Sequence, residues 1–312
     1  MIYTVTLNPA LDRELTVPAL SFDKVLRATA TQIDVGGKGF NVSRMLASLG
    51  GESVALGFAG GRTGEILRDG LHALGIDSHF VPIAGETRTN VSIVTDRGDH
   101  HIKVNEPGPR ISAAEQAQLH ARVRALVTPG DWWILAGSVP PGVAPTIYAD
   151  LIRHLQAGGA RVILDTSGAW LQHGVAAQPF LVKPNQAELA ELTGMTIHSI
   201  NDAMTAGRTL HGIALVVVSL GRAGALLVHG QQGWIATSPA IQERNPIGAG
   251  DSMVAGLVWA LSRAATPPEA LRWGVACGAA TASLPGTAVG SAADVERLRA
   301  KVDVREVELP GP

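Results

Sequence analysis

Short, continuous apolar runs recur along the chain at Trp132–Ala136, Arg161–Asp165, 180–183 and 214–219, each rich in β-branched residues. The segments 145–157, 187–193 and 202–211 lie between or after them and carry apolar residues at helical spacing. Strands apolar on both faces and separated by helices predict a parallel sheet covered on each side. Ala249–Leu261 and 268–284 are apolar almost all round, which predicts buried helices. A second rhythm interrupts the first. Residues 13–17 with 29–34, and 90–96 with 101–105, alternate apolar and polar positions with period two. That is the signature of a half-exposed sheet, and Arg97-Gly98-Asp99 predicts the hairpin turn of the second pair. The expectation is one α/β domain over residues 1–312, carrying a small β lid built from about 12–35 and 88–106.

Composition removes several function classes. With 46% hydrophobic and 17% charged residues the chain cannot be an intrinsically disordered one, which needs the opposite balance. Its net charge of −2 and lack of like-charge runs disfavour nucleic acid and anionic membrane as partners. No apolar run reaches the ~18 residues of a membrane span. The strand-like 2–7 segment follows no basic leader, so the expected setting is cytoplasmic. A lone cysteine, Cys277, excludes an internal disulfide and a cysteine zinc cluster, and its small neighbours mark it as packed. Lysine is scarce, at five against twenty arginines, so the two lysines inside motifs stand out.

The densest motif is Asn245-Pro-Ile-Gly248-Ala249-Gly250-Asp251-Ser252, which opens the apolar helix ending at Leu261. Glycines before a helix leave N–H groups free where the helix dipole is positive, an anion hole suited to a phosphate. Asp251 in that turn is either a general base for a hydroxyl attacking the phosphate or a helix cap. The positive helix end predicts an ionised, modest base. Gly36-Gly37-Lys38-Gly39-Phe40-Asn41 precedes a predicted helix at 42–49 and offers close backbone approach, a mobile cation and an amide. It is neither a Walker A loop nor a dinucleotide fingerprint, and a solvated glycine turn remains its alternative. Lys183-Pro-Asn185-Gln-Ala-Glu188 ends a strand at the spacing of a capping box, or places Asn185 and Glu188 near a metal and Lys183 near phosphate. Ser219-Leu-Gly221 is a small-residue turn after a strand, where α/β proteins bind ligands. Asp12, in Asn8-Pro-Ala-Leu-Asp12, either accepts from sugar hydroxyls or forms an Asx turn. Arg88 could fork onto a phosphate or lie solvated on the lid.

Taken in order, Asn8-Pro-Ala-x-Asp12, Gly36-Gly-Lys-Gly-x-Asn41, Lys183-Pro-Asn-x-x-Glu188, Ser219-Leu-Gly221 and Gly248-Ala-Gly-Asp251 resemble the ribokinase/PfkB family of sugar kinases over essentially the whole chain. The resemblance implies a ribokinase-like α/β fold with a β lid over the sugar, ATP as donor and Mg²⁺ as cofactor, and it admits K⁺. By it, Asp251 is the base and Gly248, Ala249 and Gly250 form the anion hole. Lys183, Asn185, Ser219 and Gly221 face the nucleotide. Glu188, Asn185 and Asp165 face the metal through water. Asp12, Gly37, Lys38 and Asn41 hold the sugar. The lid strands would pair two subunits into a homodimer.

Asn8-Pro-Ala-x-Asp12 and Gly85-Glu-Thr-Arg88 resemble the branch acting on hexose phosphates, which adds Arg88 and Arg27 as phosphate contacts. Val25 stands where the branch members that use fructose 6-phosphate carry a lysine, and Lys38 interrupts their run of four glycines. The implied reaction is ATP-dependent phosphorylation of a ketohexose monophosphate, foremost fructose 1-phosphate at O6, with tagatose 6-phosphate and fructose 6-phosphate as alternatives. A sugar-phosphate sensor without catalysis, or a nicotinamide dehydrogenase, would be a reading of another class. The intact Asp251 and Glu188 argue against the first, and the missing dinucleotide fingerprint against the second.

Overall fold

The computed structural model describes residues 1–97 and 100–307. Its larger sheet has ten strands, in the order Asp303–Glu306, Gln232–Thr237, Gly224–His229, Leu215–Ser219, Leu181–Val182, Arg161–Asp165, Trp132–Ala136, Ile2–Thr6, Val54–Ala59, Asp77–Pro82. The seven strands from Leu215–Ser219 to Asp77–Pro82 are mutually parallel. Side-chain alternation sends Trp133 and Leu135 into one core and Trp132, Ile134 and Ala136 into another across the sheet. Helices cover both faces, so the central strands are buried on both sides, as their continuous apolar sequence requires.

The sheet is mainly parallel, as expected, and departs from that at one edge. Gly224–His229 and Gln232–Thr237 form an antiparallel hairpin turned at Gly230, and Asp303–Glu306 extends it. The predicted buried helices appear as Ala249–Leu261 and Pro267–Ala282. Leu181–Val182 has two residues where four were expected.

The second sheet runs Ala30–Gly36, Ala10–Val17, Arg88–Thr95, His101–Val104. Its central pair is parallel and both outer pairs antiparallel. Gly98 and Asp99 of the expected hairpin turn lie outside the described residues. Registered rows separate the two faces. Leu15, Val91, Ile93, Ile102, Val104 and Ile33 share one, and Asp12, Glu14, Asp34, Asn90 and Ser92 share the other. On the apolar face Ile33 is 53% and Val104 60% exposed, so among the described residues nothing covers that part of the face. Among the described residues no helix is long and apolar enough to cross a membrane.

Candidate active site

Chain order reverses in the larger sheet between Ile2–Thr6 and Trp132–Ala136, because successive strands run outwards on opposite sides of that pair. Open α/β sheets bind ligands in the crevice at the carboxyl ends of strands beside such a reversal. Asp165 closes its strand there, Lys183 follows Leu181–Val182, and Ser219 ends Leu215–Ser219.

Three charges meet at this edge. Lys38 Nζ lies 3.1 Å and Lys183 Nζ 3.3 Å from the same Asp165 oxygen, Oδ1. Asp165 and Lys183 are buried, while the Lys38 side chain is 41% exposed. Burial alone would raise the Asp165 carboxyl, but Lys183 and Lys38 outweigh it and hold the group below the usual carboxylate range. The Asp165 charge in turn raises Lys38 against the opposing effect of desolvation. Asp165 Oδ2 is buried and has no protein partner.

Lys38 and Asn41 sit on a helix, not in a loop. The helix spans Lys38–Ser48 and begins four residues before the predicted 42–49 segment, with Gly37 as its N-cap at φ 140°. A Cβ on Gly37 would stand 2.7 Å from Thr6 Cγ2, so this close approach of helix start to strand needs glycine. The early start puts Asn41 on the first turn, where its Nδ2 donates to Asp251 Oδ2 at 2.8 Å. One turn on, Arg44 Nη1 donates to Asn41 Oδ1 at 3.3 Å.

Asp251 belongs to Ala249–Leu261, whose N-cap is Gly248 in the left-handed conformation, φ 79°. No side chain caps this helix, so Asp251 is not the cap that its position allowed. The Ala249 amide donates to Pro246 O, whereas the Gly248 and Gly250 amides donate to nothing among the described residues. The expected anion hole therefore has two free amides, not three. Lys183 Nζ lies 3.5 Å from where a Gly250 Cβ would stand, so a cation adjoins them. Desolvation raises the buried Asp251 carboxyl, and Asp165 adds to it. Lys38, the Asn41 hydrogen bond and Lys183 oppose the rise without cancelling it. The helix end does not keep Asp251 a modest base, as its sequence position suggested; burial decides.

Beyond Gly250 opens a cavity of about 500 Å³ lined by Ser219, Gly221, Pro239, Ile241, Met253 and Val275 among others, within the usual range of ligand pockets. Asn185 and Glu188 form the reciprocal capping box that their spacing allowed. The Glu188 amide donates to Asn185 Oδ1 at 2.9 Å, and the Asn185 amide to Glu188 Oε2 at 2.8 Å. Asp12 lies within a lid strand, not in an Asx turn, and its Oδ1 accepts from Asn90 Nδ2 at 2.8 Å.

The two arginines lie in different surroundings. Arg88 donates to three backbone carbonyls, those of Glu106 at 2.7 Å, Asn8 at 2.9 Å and Pro9 at 3.4 Å. Most of its fork is therefore engaged in bracing the turn after Ile2–Thr6, and it is not a solvated lid residue. Arg27 is exposed between two lid strands and makes no hydrogen bond or ion pair among the described residues.

The sequence profile of the pfkB family of carbohydrate kinases matches residues 6–293. The chain belongs to that family. It is 40% identical over 262 residues to the 1-phosphofructokinase of Rhodobacter capsulatus, spanning 83% of each protein. The 1-phosphofructokinase of Bacillus subtilis is 38% identical over 284 residues, 90% of this chain and 92% of that one. The crystal structure of phosphofructokinase-2 from Escherichia coli in complex with potassium superposes with a TM-score of 0.92 at 34% identity, covering 96% and 98%.

A divalent cation fits this kinase only as an indirectly held ion. Among the described residues no three His, Cys, Asp or Glu side chains converge. Asp165 Oδ2 is an unpartnered acceptor, however, and Glu188 keeps one oxygen outside its capping bond. Magnesium is commonly bound in this way, by one or two carboxylates together with water and substrate phosphates. Three residues near these groups were given no role of their own in the sequence reading. Asn8 Nδ2 donates to Pro107 O and, at 3.4 Å, to Ser138 Oγ, while its Oδ1 is buried without a partner. Ser138 stands exposed just past the carboxyl end of Trp132–Ala136, and that position after a strand was the signal available. Arg44 was missed too, although it lies three residues after Asn41.

Proposed function

We propose that this kinase transfers the terminal phosphoryl group of ATP to O6 of fructose 1-phosphate, giving fructose 1,6-bisphosphate and ADP. One observation carries the reading. A buried carboxylate, Asp251, is held by Asn41 beside two free glycine amides and a buried lysine, at the mouth of a cavity large enough for a nucleotide. With Oδ2 bonded to Asn41, Oδ1 is left to accept the proton of the sugar hydroxyl. The hydroxyl oxygen forms its bond to phosphorus as the bond to the ADP oxygen breaks. The transition state is loosely bonded, so positioning and charge stabilisation do most of the work. Gly248 and Gly250 amides with Lys183 neutralise the transferred group. Ser219 and Gly221 border the nucleotide. Asp12, Gly37, Lys38 and Asn41 hold the sugar, with Arg27 and the remaining donors of Arg88 towards its phosphate. Asp165, Glu188 and Asn185 would hold Mg²⁺ through water, and the ion supplies neutralisation of nucleotide charge. A K⁺ requirement is tested by replacing it with Na⁺ in the assay.

Sugar choice rests on the named relatives and on Val25, which is 84% exposed where fructose 6-phosphate users carry lysine. A substrate panel decides it. A site built for a charged group discriminates by up to ~10⁴-fold against its absence, so kcat/KM for fructose 1-phosphate should exceed that for free fructose by about that order. Tagatose 6-phosphate should come second. Preference for free fructose or ribose would overturn the assignment while leaving the kinase fold intact. The panel includes Asp251→Asn, which should lower kcat by ~10²–10⁴ with substrate binding retained. The exposed apolar lid face also supports pairing with a second copy of the chain.

A further inference from the structure

We propose that Arg44 is a positioning residue that locks the side-chain amide of Asn41 and thereby aims the catalytic carboxylate. The inference rests on the reading of Asp251 as the base. Asn41 and Arg44 are three residues apart on Lys38–Ser48, so their side chains share a helix face. A guanidinium has only donors and an ionised carboxylate only acceptors. An amide held between them satisfies both in a single orientation, carbonyl to Arg44 and NH₂ to Asp251. The contacts at 3.3 Å and 2.8 Å show that orientation. Rotating the amide by half a turn would set its oxygen against the carboxylate and its NH₂ against the cation, which breaks both bonds and makes two repulsions.

Among the described residues nothing else fixes the Asn41 side chain. Its only side-chain hydrogen bonds among the described residues are these two. Arg44 itself is half-buried. Desolvation opposes its charge, while Asp34 and Asp12 on the polar face of the lid favour it, so the guanidinium is held from the lid side. The hydrogen bonds run from Arg44 through Asn41 to Asp251, and the lid carboxylates act on Arg44 through space. Without the arginine only the Asp251 contact orients the amide, and Asp251 Oδ2 loses its donor for part of the time.

The test is a double-mutant cycle on the full chain, assayed with ATP and fructose 1-phosphate. Arg44→Met keeps bulk but removes the donor. It should lower kcat about tenfold, the loss expected for one hydrogen bond in a charged relay, and leave KM for ATP unchanged. In an Asn41→Ala background the same change should lower kcat no further, because Arg44 acts through Asn41. Arg44→Lys, which restores a group with donors only, should recover most of the turnover; it also serves if the methionine variant does not fold. Additive losses in the cycle, failure of Arg44→Lys to recover turnover, or a rise in sugar-phosphate KM alone would overturn the proposal. Asp251→Asn in parallel separates the two readings. If it retains turnover, the base assignment fails; if it is inactive while the cycle is additive, only the role of Arg44 fails.

Discussion

Replacing Asp165 by Asn keeps the size of the side chain and removes the negative charge that both lysines contact. Lys183 has a side chain 6% exposed and would stay buried with no ion-pair partner, whereas Lys38, 41% exposed, can turn towards water. Removing one partner of a buried pair costs about 3–5 kcal/mol, because the other charge is left desolvated. The exposed partner adds at most about 1 kcal/mol, since water screens it. Asp165→Asn should therefore destabilise the fold by about 3–5 kcal/mol. Lys38→Met should cost under about 1 kcal/mol. Urea unfolding at pH 7, monitored by circular dichroism, reads both values. The decisive variant is Asp165→Asn with Lys183→Met, in which both buried charges are gone. It should recover to within about 2 kcal/mol of the wild type, since an uncharged pair is tolerated where a lone ion is not. Acid unfolding gives an independent reading. The folded Asp165 carboxyl lies below its unfolded value of about 3.9, so its contribution is present above that pH and is lost as pH falls through the folded value. Asp165→Asn should flatten that part of the acid limb. A cost below about 1 kcal/mol, or a double variant weaker than Asp165→Asn alone, would refute the burial argument.

Because burial raises Asp251, kcat/KM should fall on the acid side at a pH above the ordinary carboxylate value of about 3.9, as the base takes up its proton; a limb at the ordinary value would remove the desolvation argument. Val91→Asp with Ile93→Asp puts two charges on the apolar lid face and should yield a monomer in analytical ultracentrifugation with weakened sugar binding; an unchanged dimer would place the interface elsewhere, and a monomeric wild type would remove the lid pairing. Arg88→Ala should raise KM for the sugar phosphate, leave KM for ATP alone and lower the melting temperature, because three backbone carbonyls lose their donor; an effect confined to ATP binding would contradict its place beside the sugar.

The strands around the site were legible because burial on both faces leaves a continuous apolar run, as Trp132–Ala136 and Arg161–Asp165 show. The lid was legible from its period-two alternation, with Leu15, Ile93 and Ile33 on one face. The antiparallel edge was not. Gly224–His229 and Leu215–Ser219 are both apolar, and pairing direction leaves no mark on a strand buried on both sides. The start of Lys38–Ser48 was misplaced because glycines at 37 and 39 read as a loop, whereas the tight packing of Gly39 beneath Thr6 is tertiary.

The charges were the least legible part, and the reason is common to all of them. Asp251 sits at a helix start, a local fact that predicts a depressed carboxyl. Its burial comes from helices and strands distant in sequence, and that desolvation raises the carboxyl. The flanking residues of Arg88 announce an available fork, yet the carbonyls of Asn8, Pro9 and Glu106 take it up. Arg44 lies in an unremarked helical turn, and only the meeting of Asn41 with Asp251, 210 residues apart, gives it a task. Sequence motifs therefore locate the groups that can do the chemistry. Which of those groups is free, which is paired and how strongly each holds its proton follows from contacts across the chain. In this kinase burial raises the proposed base, Arg88 mostly braces a turn, and Arg44 bonds to the amide that holds Asp251.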